Sequence, residues 1–300
     1  RLRARLGWAL QELDDVASAT ANADEANEPL LDVARRWKLS PATDRLEQIK
    51  RRGVLRVGVE PGFVGLSFRR RPREPLMGLD VDYARAYAQS IGVTCEFVEY
   101  PWDALTGLLH VGIKEGEQPV DVIWSALPPN ATYRQVAYSE TYTYLPFVLA
   151  RRVGDMRIRK LDDLDGKVLG IINDPGAFEV LDTYGVRWSA NKDKPGRKIS
   201  LANLVAYSDQ GRIHDCLAEG KVDAFCVDLP IYHWACSNPS SPWFGKIEIL
   251  PGNLASKLYY YTVAVAASPA SASLLKSVNA FIGSFRASTR CNQIEQQWQG

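Results

Sequence analysis

With 300 residues, 46% of them hydrophobic and 24% charged, the chain is long enough for two domains and ordinary in composition for a globular protein. A net charge of +1 gives no basis for nucleic acid or an anionic membrane surface as a partner. No apolar run reaches the roughly 18 residues that a membrane-spanning helix needs.

The first 52 residues read as helical. RLRARLGWALQELDD places Leu2, Leu6, Ala9, Leu10 and Leu13 at helical spacing, with acidic residues where a secretory leader would carry its apolar stretch. The opening Arg1 therefore suggests a trimmed fragment. Asp24 or Asn27 can cap a second helix through LLDVARRWKL, which Ser40-Pro41 stops. A third helix, DRLEQIKRRG, follows Thr43 and ends at Gly53.

From residue 54 strands and helices alternate. VLRVGVE, CEFVEYP, VDVIWSA, FVLARR, KVLGIIN, VDAFCVD and YYYTVAVAA read as strands. MGLDVDYARAYAQSIGV, WDALTGLLHVGI, SDQGRIHDCLAEG, LPIYHWAC, ASLLKSVNAFIGSFRAS and NQIEQQW read as helices. This alternation predicts an α/β fold with mostly parallel sheets and ligands beyond the carboxyl ends of strands. Ser125 in VDVIWSALPP stands at such an end, and Pro128-Pro129 stop the strand because they cannot donate to its ladder.

Five cysteines are too few for a disulfide scaffold. Cys216, Cys226 and Cys236 are evenly spaced, but no Cys-x-x-Cys or adjacent histidine makes them a metal set, so buried thiols with at most one bridge are expected. His110, His214 and His233 are scattered through helical stretches and read as structural. No Gly-x-Ser-x-Gly, His-Glu-x-x-His or P-loop pattern occurs.

The order of LEQIKRRGVLRVGVEPGF, MGLDVDYARAYAQSIGV, CEFVEYPWDALTGLL, VDVIWSA, RQVAYSETYTYLPFVLARR, IRKLDDLDGKVLGI, LAEGKVDAFCVD, YYYTVAVAAS and IEQQWQG resembles the extracellular solute-binding proteins of family 3, the polar amino-acid type. The resemblance implies a two-lobe periplasmic-binding-protein-like (type II) fold with a two-strand hinge. Here it carries an N-terminal helical extension at 1–44. Lobe 1 is expected at 45–147 plus 260–300 and lobe 2 at 148–259, with crossings near Pro146-Phe147 and Leu258-Tyr259. The resemblance implies a small-molecule ligand held between closing lobes, a membrane permease or receptor domain as partner, and a monomer. It also implies a periplasmic or extracellular location, free or tethered to a membrane. No cofactor, metal or catalytic residue is implied.

Residue by residue, the resemblance puts Phe63 on an aromatic that stacks on ligands in relatives, with Phe68 on the same wall. It puts Ser125 on the serine that holds the ligand and Asp228 on the carboxylate that receives a ligand ammonium. Asp228 has a second reading, as the cap of LPIYHWAC. Trp102 reads as packing. Trp124 and the tyrosines 142 and 144 offer aromatic surface or core.

Two anchors depart from the pattern. Relatives carry Ser-Gly-Met-Thr and then an arginine that grips the ligand's α-carboxylate. This chain has Ser125-Ala126-Leu127-Pro128, and Arg134 lies two residues beyond the expected place. Relatives carry Gly-Thr-Thr after the strand that opens lobe two; here Asn173-Asp174-Pro175-Gly176 puts an acid there, which repels a carboxylate and favours a cation. Two readings stay open: Arg134 restores the grip and the ligand is an ordinary amino acid, or Asp174 and Asp228 together take an amine-like solute. A dehydratase-like enzyme using Asp174, Glu179 or His214 is the least favoured, because those residues form no recognisable dyad.

Overall fold

A computed structural model of the chain describes residues 44–129, 133, 135–256 and 258–300. The first two expected helices and Arg134 lie outside the described residues.

The described elements, in chain order, open with helix α1 (Arg45–Arg52) and strand β1 (Val54–Val59). Asp44 caps α1 by accepting the Glu47 amide at 3.0 Å, and Gly53 closes it in the left-handed region with φ 72°. Next come α2 (Leu79–Ser90), β2 (Thr94–Glu99), a 3-10 segment Trp102–Leu109 and β3 (Val122–Leu127). Strands β4 (Val136–Leu145), β5 (Phe147–Arg152) and β6 (Val168–Ile172) lead to α3 (Pro175–Tyr184). The short strands β7 (Val186–Arg187) and β8 (Ile199–Ser200) precede β9 (Asn203–Tyr207). The chain closes with β10 (Ala224–Asp228), α4 (Leu229–Ser237), β11 (Ile247–Ile249), β12 (Tyr259–Ala266), α5 (Ala272–Phe285) and α6 (Thr289–Gln299).

Two five-stranded sheets carry the fold, in the orders β2-β1-β3-β12-β4 and β11-β5-β10-β6-β9. Each has a parallel trio, β2-β1-β3 or β10-β6-β9, continued by antiparallel strands. The chain divides into two compact units. One comprises the residues up to Val59, Ala84–Thr141 and Thr262–Ala287; the other comprises Glu60–Tyr83, Tyr142–Tyr261 and Ser288–Gly300. The chain leaves the first unit inside β4, after Thr141, and returns inside β12, at Thr262. Residues 60–83 and 288–300 group with the second unit.

In the first unit β3 is buried along its whole length, so its alternate side chains feed two cores. Ile123 and Leu127 meet Leu105, Leu108, Leu109 and Val98. Trp124 points the other way, with its ring 6.0 Å from Tyr87 and 6.4 Å from Phe281. Asp121 is buried below this strand and ties Arg45, Arg52 and the Arg56 amide together.

In the second unit Leu169, Ile171, Ala224 and Cys226 pack with Leu181, Leu164 and Phe147 under α3. Residues 60–83 lie against α4. Gly65, at φ +83°, comes so close that a Cβ there would stand 2.1 Å from the Pro230 carbonyl oxygen, which excludes other residues. Phe68 is 4.9 Å from the Trp234 ring and 6.0 Å from Trp298 of α6, both edge-on. These contacts explain why both segments join this unit. His214 is stacked between Tyr232 at 4.6 Å and Trp243 at 4.4 Å, and its Nε2 sits 2.8 Å from the Ile231 oxygen. None of the five cysteines is joined in a disulfide.

Candidate functional site

The second unit brings three polar groups to the carboxyl ends of neighbouring parallel strands. Asp228 ends β10, Asp174 follows β6 and Gln210 follows β9, with β6 between the other two. Adjacent strands are about 4.8 Å apart, so the row from β10 to β9 spans about 10 Å. This is where open α/β sheets place ligands.

Asp228 occupies the N-cap position of α4, yet its side chain makes no capping bond. Pro230 supplies no amide, and the Leu229 amide is held by the Pro146 carbonyl at 3.0 Å. The carboxylate turns elsewhere: Tyr261 donates its hydroxyl to Oδ2, and Oδ1 is shielded from solvent with no partner. Burial raises the carboxyl pKa to about 7; the Tyr261 bond pulls it down and the nearby Asp174 charge pushes it further up.

Asp174 caps α3 by accepting the Gly176 amide on Oδ1 at 3.2 Å, while the Ala177 and Phe178 amides bond its carbonyl at 3.1 and 3.3 Å. Pro175 has no amide hydrogen, Asn173 donates to the Tyr207 carbonyl and Asp174 to the Ile172 carbonyl. Every amide from 173 to 178 is therefore engaged within the chain. A helix start that would otherwise receive an anion has no free donor here. Burial raises the Asp174 pKa too, against the two amides that bond it.

Gln210 is 4% exposed. Its Nε2 reaches the Ser208 carbonyl at 3.5 Å, and its Oε1 is buried without a partner. The Glu60–Gly62 turn covers it: a Cβ on Gly62 would lie 3.3 Å from the Gln210 Cβ. Neither Gln210 nor Tyr261 is legible as a site residue in the sequence. Gln210 lies three residues beyond β9 and Tyr261 near the start of β12, and neither place marks a ligand contact in the sequence.

Phe63 and Phe68, at 2% and 3% exposed, are buried in the second unit, Phe63 facing Ser67 across an isolated bridge. Glu179 of α3 is exposed. In the first unit Ser125 is fully buried near the end of β3, and Trp102 donates its indole N–H to the Ser125 carbonyl at 3.0 Å. The next residue, Ala126, has φ +48°, a region that side chains disfavour. Trp124 lies in the aromatic core. Asp174 and Asp228 are thus brought into one electrostatic unit, Trp124 and Ser125 occupy one strand of the other unit, and Arg134 lies outside the described residues.

The model of the bacterial extracellular solute-binding proteins, family 3, matches residues 55–300. The chain belongs to this family. Among its relatives, the histidine-binding periplasmic protein of Escherichia coli K12 is 26% identical over 176 residues, 58% of this chain and 60% of that protein. The L-cystine-binding protein TcyJ of the same organism is 24% identical over 185 residues, 61% and 62% of the two chains. This chain thus aligns with about three fifths of each relative's length. An ancestral amino acid-binding protein, described as a precursor of cyclohexadienyl dehydratase, superposes with a TM-score of 0.66 at 17% identity, covering 85% of this chain and 99% of its own. A substrate-binding protein of an ABC uptake transporter from Streptococcus pneumoniae, with bound histidine, gives 0.66 at 18% identity, covering 85% and 96%. At these identities the superpositions establish the fold, the two-lobe type of this solute-binding family. Both named relatives in sequence are described as binding proteins. Among the described residues no helix is long and apolar enough to cross a membrane, and no cluster of His, Cys, Asp and Glu could hold a metal ion.

Proposed function

We propose that this chain binds a small polar solute carrying an ammonium group, an amino acid or an amine, and presents it outside the cytoplasmic membrane to an ABC-type permease. The observation that carries the reading is the state of Asp228. Its Oδ1 is shielded from solvent, unpartnered and free of any capping role. No cationic side chain among the described residues pairs with it or with Asp174. A carboxylate with one oxygen shielded from solvent and no cation beside it carries a desolvation cost, which a ligand ammonium removes. Family membership and the amino acids named in the relatives support the same class of solute.

Titration calorimetry of the purified chain with L-histidine, L-arginine, L-lysine and simple amines tests it. Removing the charge with Asp228→Asn should weaken binding by about 1.5–3 kcal/mol, the worth of a hydrogen bond to a charged group. Because a cation binds the ionised carboxylate, affinity should also fall about tenfold per pH unit below 7, near the Asp228 pKa. A ligand bound with equal strength by the Asn variant removes Asp228 from the site.

A further inference from the structure

We propose that Gln210 is a second ligand contact of the same site, its side-chain carbonyl receiving a donor group at the end of the solute opposite to the ammonium held by Asp228. The inference rests on the proposed binding of an ammonium at Asp228 and adds to the chemistry of the solute: a second nitrogen donor group, as in diamines or basic amino acids.

Three observations lead there. The first is burial without a partner. Leaving a hydrogen-bonding group buried and unpaired costs about 1–3 kcal/mol, and folded proteins rarely tolerate it away from functional sites. Two such acceptors, Asp228 Oδ1 and Gln210 Oε1, belong to this one strand-end row. The second is placement. β10 and β9 flank β6 in parallel register, so both acceptors follow the carboxyl ends of strands in one parallel trio. The third is what the row lacks. The amides from 173 to 178 are all engaged, Asn173 Nδ2 donates to Ser208 Oγ at 3.1 Å, and Asp174 stands between the two acceptors. The row offers acceptors and negative charge and no free amide on β6, so it recognises donors rather than a carboxylate.

The orientation of the Gln210 amide follows from its neighbours. Its nitrogen faces the Ser208 carbonyl, which only a donor can satisfy, and this turns Oε1 to the unpartnered side.

Two matched pairs test the proposal by calorimetry at pH 8: cadaverine against pentylamine, and L-lysine against L-norleucine. The members of each pair differ only in one terminal ammonium. The second pair retains an α-carboxylate, so the comparison holds whether or not Arg134 grips one. In whichever pair binds, the doubly charged member should bind at least about tenfold more tightly, the worth of one charge-assisted hydrogen bond. Gln210→Met, similar in length but without the carbonyl, should reduce that preference to about threefold or less while leaving the weaker member's affinity within about twofold. Melting temperature within a few degrees of the parent confirms that the variant is folded. Equal affinity within the pair, or an unchanged preference in Gln210→Met, overturns the role of Gln210. If binding in that case still disappears in Asp228→Asn, the ammonium site stands alone. Failure of all four compounds to bind removes both readings.

Discussion

Asp228 makes folding and binding oppose each other, and the size of the conflict can be worked out. Its carboxyl titrates near 7 in the folded chain against 3.8 for the unperturbed group, chiefly through burial. Below pH 3.8 the group is protonated in both states and burial of the neutral acid is tolerated. Between 3.8 and 7 it is ionised only in the unfolded chain, so stability falls as pH rises through this window. Above 7 the full penalty is present. A shift of about three units corresponds to about 4 kcal/mol as an upper limit, and water penetration lowers the expected value to about 2–4 kcal/mol. Asp228→Asn removes the charge at constant shape. In a chain of this size each kcal/mol moves the melting temperature by about 2–4 °C. The ligand-free variant should therefore gain about 5–10 °C more over the parent at pH 8 than at pH 4, read by differential scanning calorimetry. The fixed effect of burying an amide in place of an acid is the same at both pH values and cancels in that difference. A variant whose advantage is equal at pH 4 and pH 8, or that is less stable only at pH 8, would mean that Asp228 is not a buried, unpaired carboxylate.

Other positions give independent checks. His214, neutral between Tyr232 and Trp243, has its pKa lowered from 6.5 to about 4 by burial, so it favours the fold above pH 6.5 and that contribution is lost as pH falls toward 4. Urea unfolding should show up to about 3 kcal/mol of stability lost across that interval, and His214→Phe should flatten the loss; a parallel curve for the variant would contradict the assignment. Gly65→Ala should destabilise the chain by more than about 2 kcal/mol in the same assay, because its Cβ meets the Pro230 carbonyl and its φ is +83°. Ala126→Gly should stabilise by up to about 1 kcal/mol by relieving φ +48°, partly offset by the freer unfolded chain. A loss of stability there would mean that the Ala126 methyl packs well enough to outweigh the strain.

How far the sequence reveals this molecule depends on which physical signal each element carries. The central strands are legible because burial on both faces demands apolar runs: VIWSAL, VLGII and AFCVD all form strands. The end of α1 is legible because Gly53 takes the left-handed close, whereas its start lies one residue later than the sequence suggests, with Asp44 rather than Thr43 in the capping place. The strand β4 and the edge strand β9 escape the reading, since VAYSETYTYL and NLVAY mix polar residues into half-exposed positions. SDQGRIHDCLAEG reads as one helix but forms a 3-10 turn and a single helical turn, because Gly211 breaks its start and Gly220 ends it. Missing β9 conceals the place of Gln210 in the strand-end row, because that place comes from β9 lying beside β6. The same limit applies at Asp228. Its type and place make a cap and a ligand acceptor equally natural in sequence, and the distinction lies in an orientation set from far along the chain by the Tyr261 hydroxyl. Asp174 is the converse case: there the local cap forms and occupies the helix start. One acid that caps and one that does not, on adjacent parallel strands and both without a cationic side chain among the described residues, are the feature on which the proposed cation reading rests.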